Sequence, residues 1–343
     1  MSNNEHNFYT PPFTMTENIT NLVIEIGELV GKISSNENHS ANLVLRRENR
    51  IKTIQSSLAI ENNSLTVDQV TDVLNGKHIL APPIDIHEAK NAYHAYEALN
   101  SLDPFSIEDL LKAHRFMMSG LIKDAGMFRN KNAGVYSGTT LIHAGTPAHY
   151  VPDVMEQLFQ WLKLSNAHPL IKSCVFHYEF EFIHPFSDGN GRTGRLWHSL
   201  ILQKWKPFFA WIPIETMIHE NQQEYYWALN ASNTKGESTI FVEFMLSMIR
   251  KSLQEYSPNV GINVGINVGT NVGINPSGTL EKEVLSLLKT NPAHSARSLG
   301  EQLDVSQRQI ERILARLKKE GILKRIGSNK SGSWIVLEIK NKE

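Results

Sequence analysis

The 343-residue sequence holds a single cysteine, Cys174. One thiol cannot close an internal disulfide or supply a cysteine-based zinc site, so neither a cross-linked scaffold nor a zinc module is expected. Its place in an apolar helical stretch reads as packing, not nucleophilic chemistry. A dominant charge sign is also missing. The chain has 34 Lys and Arg against 35 Asp and Glu, a formal net charge of −1, which argues against a nucleic-acid or membrane surface spread over the whole chain. No apolar run is long enough to span a bilayer, and the start Met1-Ser2-Asn3-Asn4-Glu5 lacks a signal-peptide pattern. A cytoplasmic protein with no membrane partner is therefore expected. The Walker pattern GxxxxGK[ST] does not occur, and no GxGxxG follows a strand-like stretch, which removes the common nucleotide-binding loops. Hydrophobic residues still make up 41% of the chain, enough for a sizeable core. The length suggests about two domains.

What is present is the stretch His184-Pro185-Phe186-Ser187-Asp188-Gly189-Asn190-Gly191-Arg192-Thr193-Gly194-Arg195. An apolar, helix-spaced run precedes it (Val175, Phe176, Phe180, Phe182, Ile183) and another follows (Leu196, Leu200, Ile201, Leu202). That context predicts a loop between two buried helices, entering the second at its N-terminus. Gly189 and Gly191 let backbone N–H groups converge on an anion, and the helix start adds positive dipole. Arg192 and Arg195 share one face of the first turn and offer two forked cations to phosphates. Asp188 is a hard oxygen ligand suited to Mg²⁺, and His184 is a proton acceptor near neutral pH. The residues alone predict a Mg-nucleotide site with a general base beside it. Phe186 is expected to anchor the loop by packing, and His177 to be a hydrogen-bonded core histidine.

The same residues resemble the Fic-family signature HPFx(D/E)GNGRxxR and agree with it at every specified position. The resemblance implies a mainly α fold, a Fic-type helical core with a β-hairpin flap. It also implies a protein adenylyltransferase, moving AMP from ATP to a Ser, Thr or Tyr hydroxyl of a target protein, the enzyme itself included. In that reading His184 is catalytic, and Gly189, Asn190, Gly191, Arg192 and Arg195 bind ATP phosphates. Mg²⁺ sits on Asp188. Relatives with kinase chemistry carry Lys where this chain has Gly191, so phosphate transfer is not expected. Removal of AMP from a modified protein stays open as an alternative, because Glu61 is able to orient a water.

Further features take meaning from the resemblance. Ser57 and Glu61 lie four apart on one helical face, which by itself reads as a solvated polar pair. Ser57-Leu58-Ala59-Ile60-Glu61-Asn62 resembles the family's inhibitory pattern (S/T)xxxE(G/N), implying a salt bridge from Glu61 to Arg195 that displaces the γ-phosphate. Gly126-Met127-Phe128-Arg129 resembles the GxxR before the flap. Val135 to Tyr150 reads as a hairpin, and the resemblance makes Leu141, Ile142 and His143 the edge that docks a target backbone. His143 and His149 lack carboxylate or cysteine companions at metal-ligand spacing. Tyr226 and Asn233 lie seven apart on one helical face. On spacing alone Tyr226 reads equally as core, whereas similar Fic sequences place adenine-pocket residues there.

Periodicity predicts helices over Thr16 to Ile33 and through Leu43 to Leu58, a short helix from Thr66 to Leu74, and a capped helix over Ile107 to Met118. Asn259 to Ile274 repeats Asn-Val-Gly-Ile/Thr, a composition that disfavours helix and reads as a linker. From Thr279 onward the pattern resembles a winged helix-turn-helix, a small α+β domain. It has 13 Lys and Arg against 8 Asp and Glu, with Gln307, Arg308 and Arg312 on the candidate recognition helix and Gly327 to Gly332 as the wing. DNA, a protein, or a second copy in a homodimer each suit such a module. A DNA-binding regulator whose core only senses nucleotide is the non-enzymatic alternative. The expected division is an N-terminal helical region over 1–110 with the inhibitory helix at about 43–63, a catalytic core over 111–251, a linker over 252–278 and the winged domain over 279–343.

Overall fold

The computed structural model describes residues 9–35, 43–137, 140–262, 284–285, 287–288, 291–292, 294–303, 310–311, 313–314, 317–318, 323–326 and 333–336. The chain divides into two compact units, Met1–Asn267 and Val268–Glu343.

The first unit is helical. Helix α1, Glu17–Ser35, follows the expected period, with Ile19, Leu22, Ile26, Val30 and Ile33 buried, and packs on the long helix α11, Thr239–Ile262. Each such side chain contributes about 1.5–3 kcal/mol through removal of apolar area from water. Helix α2, Leu43–Ile60, buries Ile51, Ile54 and Leu58. Helix α3, Val67–Leu74, opens on a capping box in which Thr66 and Gln69 satisfy each other's backbone N–H. Helix α4, Pro83–Glu97, starts with Pro83 inside its first turn, where a missing N–H costs nothing. Helix α5, Ile107–Met118, is capped by the Ser106 hydroxyl, which accepts from the Asp109 N–H at 3.1 Å.

Strands β1, Gly134–Ser137, and β2, Thr140–Ala144, pair antiparallel with a bulge between Val135 and Tyr136. The hairpin is shorter than the expected Val135 to Tyr150. Pro147 has no N–H and Arg129 takes the Thr146 carbonyl, so the ladder stops and Ala148–Tyr150 forms one 3₁₀ turn. Helix α6, Val151–Leu164, leads to α7, Pro169–Ile183, and α8, Asn190–Trp205. The last two pack on each other and are buried on nearly every face, polar residues such as His177, Arg195 and His198 included. Helices α9, Ile214–Glu220, and α10, Gln222–Lys235, complete the unit. Helix α11 continues to Ile262, beyond the expected core boundary at 251 and into the Asn-Val-Gly-Ile repeat, so a helix already under way overrides low local propensity.

In the second unit, helix Ala296–Gln302 is capped by Ser295, and strands β3, Leu323–Ile326, and β4, Ser333–Val336, pair antiparallel. Val284, Leu288, Leu299, Ile310, Ile313, Leu314 and Trp334 form a separate core. Gln307, Arg308, Arg312, the wing Gly327 to Gly332 and most of the linker lie outside the described residues. Among the described residues no helix is long and apolar enough to cross a membrane.

Candidate active site

Helix α7 ends at His184, which adopts the left-handed conformation at φ 54°, ψ 61°. A non-glycine residue there carries about 1–3 kcal/mol of strain, so surrounding contacts must impose it. Arg129 does so. Its Nε donates to the His184 carbonyl at 2.7 Å, its Nη1 to the Lys131 carbonyl at 2.9 Å, and its Nη2 to the Thr146 carbonyl and, at 3.3 Å, to that of Ile183. One guanidinium thus bolts the base of the hairpin to the end of α7.

The loop that follows is held from inside. Phe186 is fully buried and stacks on the His114 ring at 3.6 Å. His114 Nδ1 accepts from the Gly126 N–H at 2.9 Å, which leaves Nε2–H to donate to the Asp188 carbonyl at 3.0 Å. Burial lowers the His114 pKa to about 4, against a weaker upward pull from the Asp188 carbonyl. It therefore braces the loop as a neutral ring. Asn190 closes the loop with both ends of its amide on the Phe186 backbone, each at 2.9 Å. Its side chain is thus committed to loop shape, and what it offers an anion is its backbone N–H at the start of α8. Gly189 has φ +79°, and a Cβ there would lie 2.6 Å from Met118 Sδ, so the turn requires glycine. The Asp188 carboxylate accepts from the Gly189 N–H at 2.6 Å, and its side chain is 59% exposed.

The two arginines of α8 are engaged unequally. Arg195, 1% exposed, donates from Nε to Ser57 Oγ at 3.1 Å, and from Nη2 to the Ser57 carbonyl at 2.9 Å and to Glu61 Oε1 at 2.7 Å. The expected Ser57–Glu61 face of α2 is therefore set on Arg195. Glu61 lies over the start of α8, since a Cβ on Gly191 would meet its Oε1 at 2.3 Å. Burial would raise the Glu61 pKa, but the charges of Arg195, Arg192 and His184 outweigh it and hold the carboxyl below its usual range. Arg192, 4% exposed, donates from Nη1 to Glu88 Oε1 at 2.7 Å, while Nη2 lies 3.4 Å from Asp188. Glu181, one turn before His184, is pushed up to about 7 by burial, with Arg195 pulling the other way.

On α10, Tyr225 is the core residue and meets His177 Nε2 at 3.2 Å, whereas Tyr226 is 43% exposed. The Tyr226 hydroxyl donates to the Ile60 carbonyl at 3.4 Å, so this face of α10 meets the end of α2. Asn233 is half-buried, and its Oδ1 has no partner among the described residues. Leu141 and His143 lie in β2 opposite Tyr136 and Val135, and Ile142 stands between them.

Sequence reasoning missed Glu88 and His114 and gave Arg129 no task. His-Glu in α4 looks like a solvated polar face, and His114 sits among charged neighbours. Only the packing of α4 on α5, and of α5 on α8, turns them toward the loop.

Comparison with known proteins bears on the family and the fold. A family profile described as Fic/DOC family matches residues 104–202, and one described as winged helix-turn-helix DNA-binding matches 279–324. A crystal structure of a Fic family protein from Desulfovibrio desulfuricans is 38% identical, with a TM-score of 0.72 over 97% of this chain and 100% of that one. Fic-1 from Caenorhabditis elegans, residues 134–508, is 24% identical with a TM-score of 0.60 over 71% of this chain and 73% of that one, a likeness of fold. Among curated relatives, protein adenylyltransferase fic-1 of C. elegans is 28% identical over 62% of this chain and 42% of its own length. Protein adenylyltransferase Fic of Drosophila erecta is 29% identical over 64% and 44%. The chain thus spans less than half the length of the curated relatives it matches.

Proposed function

The chain belongs to the Fic family, and from that premise we propose that it is a protein adenylyltransferase held in check by Glu61. The observation that carries the reading is the start of α8, where two buried arginines and the N–H groups of Asn190 and Gly191 follow the loop that begins at His184. The adenylyltransferase names of the curated relatives support the same reaction.

In the reaction, His184 accepts the proton of the target hydroxyl, whose oxygen attacks the α-phosphorus of ATP. One P–O bond forms to the target, and the bond to pyrophosphate breaks. The N–H groups at the start of α8 steady the α-phosphate, and Arg192 and Arg195 bind the leaving pyrophosphate. Positioning and charge carry the rate, since little covalent work falls to the protein. Tyr226 and Asn233 form the adenine pocket, with the exposed ring to stack and the partnerless Oδ1 to accept from the amine. The backbone edge at Leu141, Ile142 and His143 docks the target, a contact made by main chain and hence tolerant of sequence.

Mg²⁺ fits this site. Asp188 offers one exposed hard carboxylate. That matches an ion bound through one protein oxygen and the nucleotide's own phosphates. Bound there, Mg²⁺ would neutralise phosphate charge. The second unit binds duplex DNA, a reading supported by its matched description and basic excess. Salt-dependent affinity of the full chain for a duplex tests it. A cytoplasmic setting suits both partners.

The test of the transferase reading is label retained on protein from ATP carrying α-phosphate label, compared among wild type, Glu61→Gly and His184→Ala. The self-modification signal is expected to rise in Glu61→Gly and vanish in His184→Ala. Transfer of γ-phosphate label, or no transfer by any variant, refutes it.

A further inference from the structure

The sequence marks one inhibitory carboxylate, yet the structure brings a second carboxylate to the second arginine, and the two contacts differ in kind. Arg195 has the edge formed by Nε and Nη2 occupied throughout, by Ser57 and Glu61. That edge is the one a guanidinium uses to grip an oxyanion side-on. Arg192 is held instead by Nη1, where Glu88 Oε1 accepts at 2.7 Å. Its Nη2 makes only the 3.4 Å contact with Asp188, and its Nε has no partner among the described residues.

Glu88 is itself fixed. Its second oxygen, Oε2, accepts from Asn63 Nδ2 at 2.8 Å, and that amide also donates to the Asp85 carbonyl at 3.2 Å. Asn63 Oδ1 accepts from the Leu65 N–H at 3.1 Å, so the amide cannot swing. Ser64 is latched to the Asp85 carboxylate through both its N–H, at 2.9 Å, and its hydroxyl. A carboxylate with both oxygens committed on a helix is a rigid acceptor. A guanidinium paired with it loses the freedom that a long side chain would otherwise keep.

We propose that Glu88 is the positioning residue for Arg192: it fixes the guanidinium by Nη1 and so presents the Nε–Nη2 edge to the nucleotide's phosphates. The assignment rests on reading the loop as a nucleotide site, and it concerns orientation, not inhibition. Glu88 therefore stays on Arg192 when the nucleotide is bound, unlike Glu61 on Arg195.

The experiment uses the full chain carrying Glu61→Gly, so that Arg195 is free, and adds Glu88→Gln or Glu88→Ala. Binding of Mg-ATP and of adenosine is measured by titration calorimetry, alongside label transfer and the urea midpoint. Glu88→Ala is expected to weaken ATP about tenfold or more, the size of one misaligned charge-assisted hydrogen bond, and to leave adenosine unchanged. Glu88→Gln keeps an oxygen for Nη1 and is expected to recover part of that loss. A structural defect would weaken both ligands together, and the Gln variant guards against misfolding of the Ala variant. An unchanged ratio of ATP to adenosine affinity overturns the assignment. So does tighter ATP binding, which would make Glu88 a second inhibitory carboxylate. If ATP binding responds as stated while Glu61→Gly transfers no label, the transferase reading fails and the role of Glu88 stands. If label transfers and the binding ratio does not respond, the reverse holds. Absence of ATP binding in every variant overturns both.

Discussion

Replacing Arg129 by lysine tests whether one guanidinium sets the catalytic loop. Arg129 is 3% exposed and donates to four carbonyls, those of Lys131 and Thr146 at the hairpin base and of Ile183 and His184 at the end of α7. An ammonium is a point donor and cannot span both groups, so lysine satisfies about two of the four carbonyls. Each lost bond to a charged donor is worth about 1.5–3 kcal/mol, and carbonyls that regain water recover part of it. The expected net loss is roughly 3 kcal/mol of stability, seen as a lower urea midpoint at unchanged m-value. The functional consequence is sharper. Arg129 Nε holds the His184 carbonyl, and His184 has a left-handed backbone, so loss of that hold is expected to let the residue relax. In the Glu61→Gly chain, Arg129→Lys is expected to lower kcat about 10- to 100-fold through misplacement of His184, with KM for ATP little changed. A wild-type midpoint and kcat would refute the reasoning. A raised KM at unchanged kcat would assign Arg129 to nucleotide binding instead.

Glu61→Gln is expected to cost about 1–2 kcal/mol of stability, since Arg195 keeps Ser57 and a neutral acceptor, yet to tighten ATP. Unfolding and ATP titration moving in the same direction would count against it. Gly191→Ala places a methyl 2.3 Å from Glu61 Oε1, so it should destabilise the wild type. In the Glu61→Gly chain the same change should stabilise by up to about 1 kcal/mol, the helical advantage of alanine over glycine; a double-mutant cycle without coupling denies that Glu61 covers the start of α8. Protonation supplies the last test. His114 is lowered to about 4 in the folded chain, so its contribution is held above the usual histidine pKa and lost as pH falls toward 4. Glu181, raised to about 7, contributes below the usual carboxyl pKa, and that contribution is lost as pH rises through 7. The two oppose each other: between pH 7.5 and 5, His114→Gln should remove a loss of about 2 kcal/mol, and Glu181→Gln a gain of like size. Parallel stability-versus-pH curves for both variants and the wild type would contradict these assignments.

Much of the fold was legible because its signals are local. Ile19, Leu22, Ile26 and Val30 recur at helical spacing, Ser106 and Thr66 cap the helices they precede, and the 184–195 loop carries its glycines and arginines in one run. Glu61 was legible only through resemblance, since the pairing with Arg195 joins residues 134 positions apart. Asn190 was placed in the right loop, but the hold of its amide on Phe186 was not legible, because nothing in Gly-Asn-Gly distinguishes an amide facing a ligand from one stapling the loop. Glu88 and His114 were not legible at all. Their partners, Arg192 and the Asp188 carbonyl, lie 104 and 74 positions away, and only the packing of α4 on α5 and of α5 on α8 makes them neighbours.

These blind spots have a common cause that bears on how the site works. The 184–195 run supplies every donor an anion needs, but a run of donors does not state which of them are free. The chain answers that with carboxylates from its N-terminal helices: Glu61 on the gripping edge of Arg195, Glu88 on the far nitrogen of Arg192. Removing charge at the two positions should therefore move ATP affinity in opposite directions, although both glutamates hold a buried guanidinium with the same 2.7 Å contact. Contact distance does not separate the proposed inhibitor from the proposed support. The edge of the guanidinium each one occupies does.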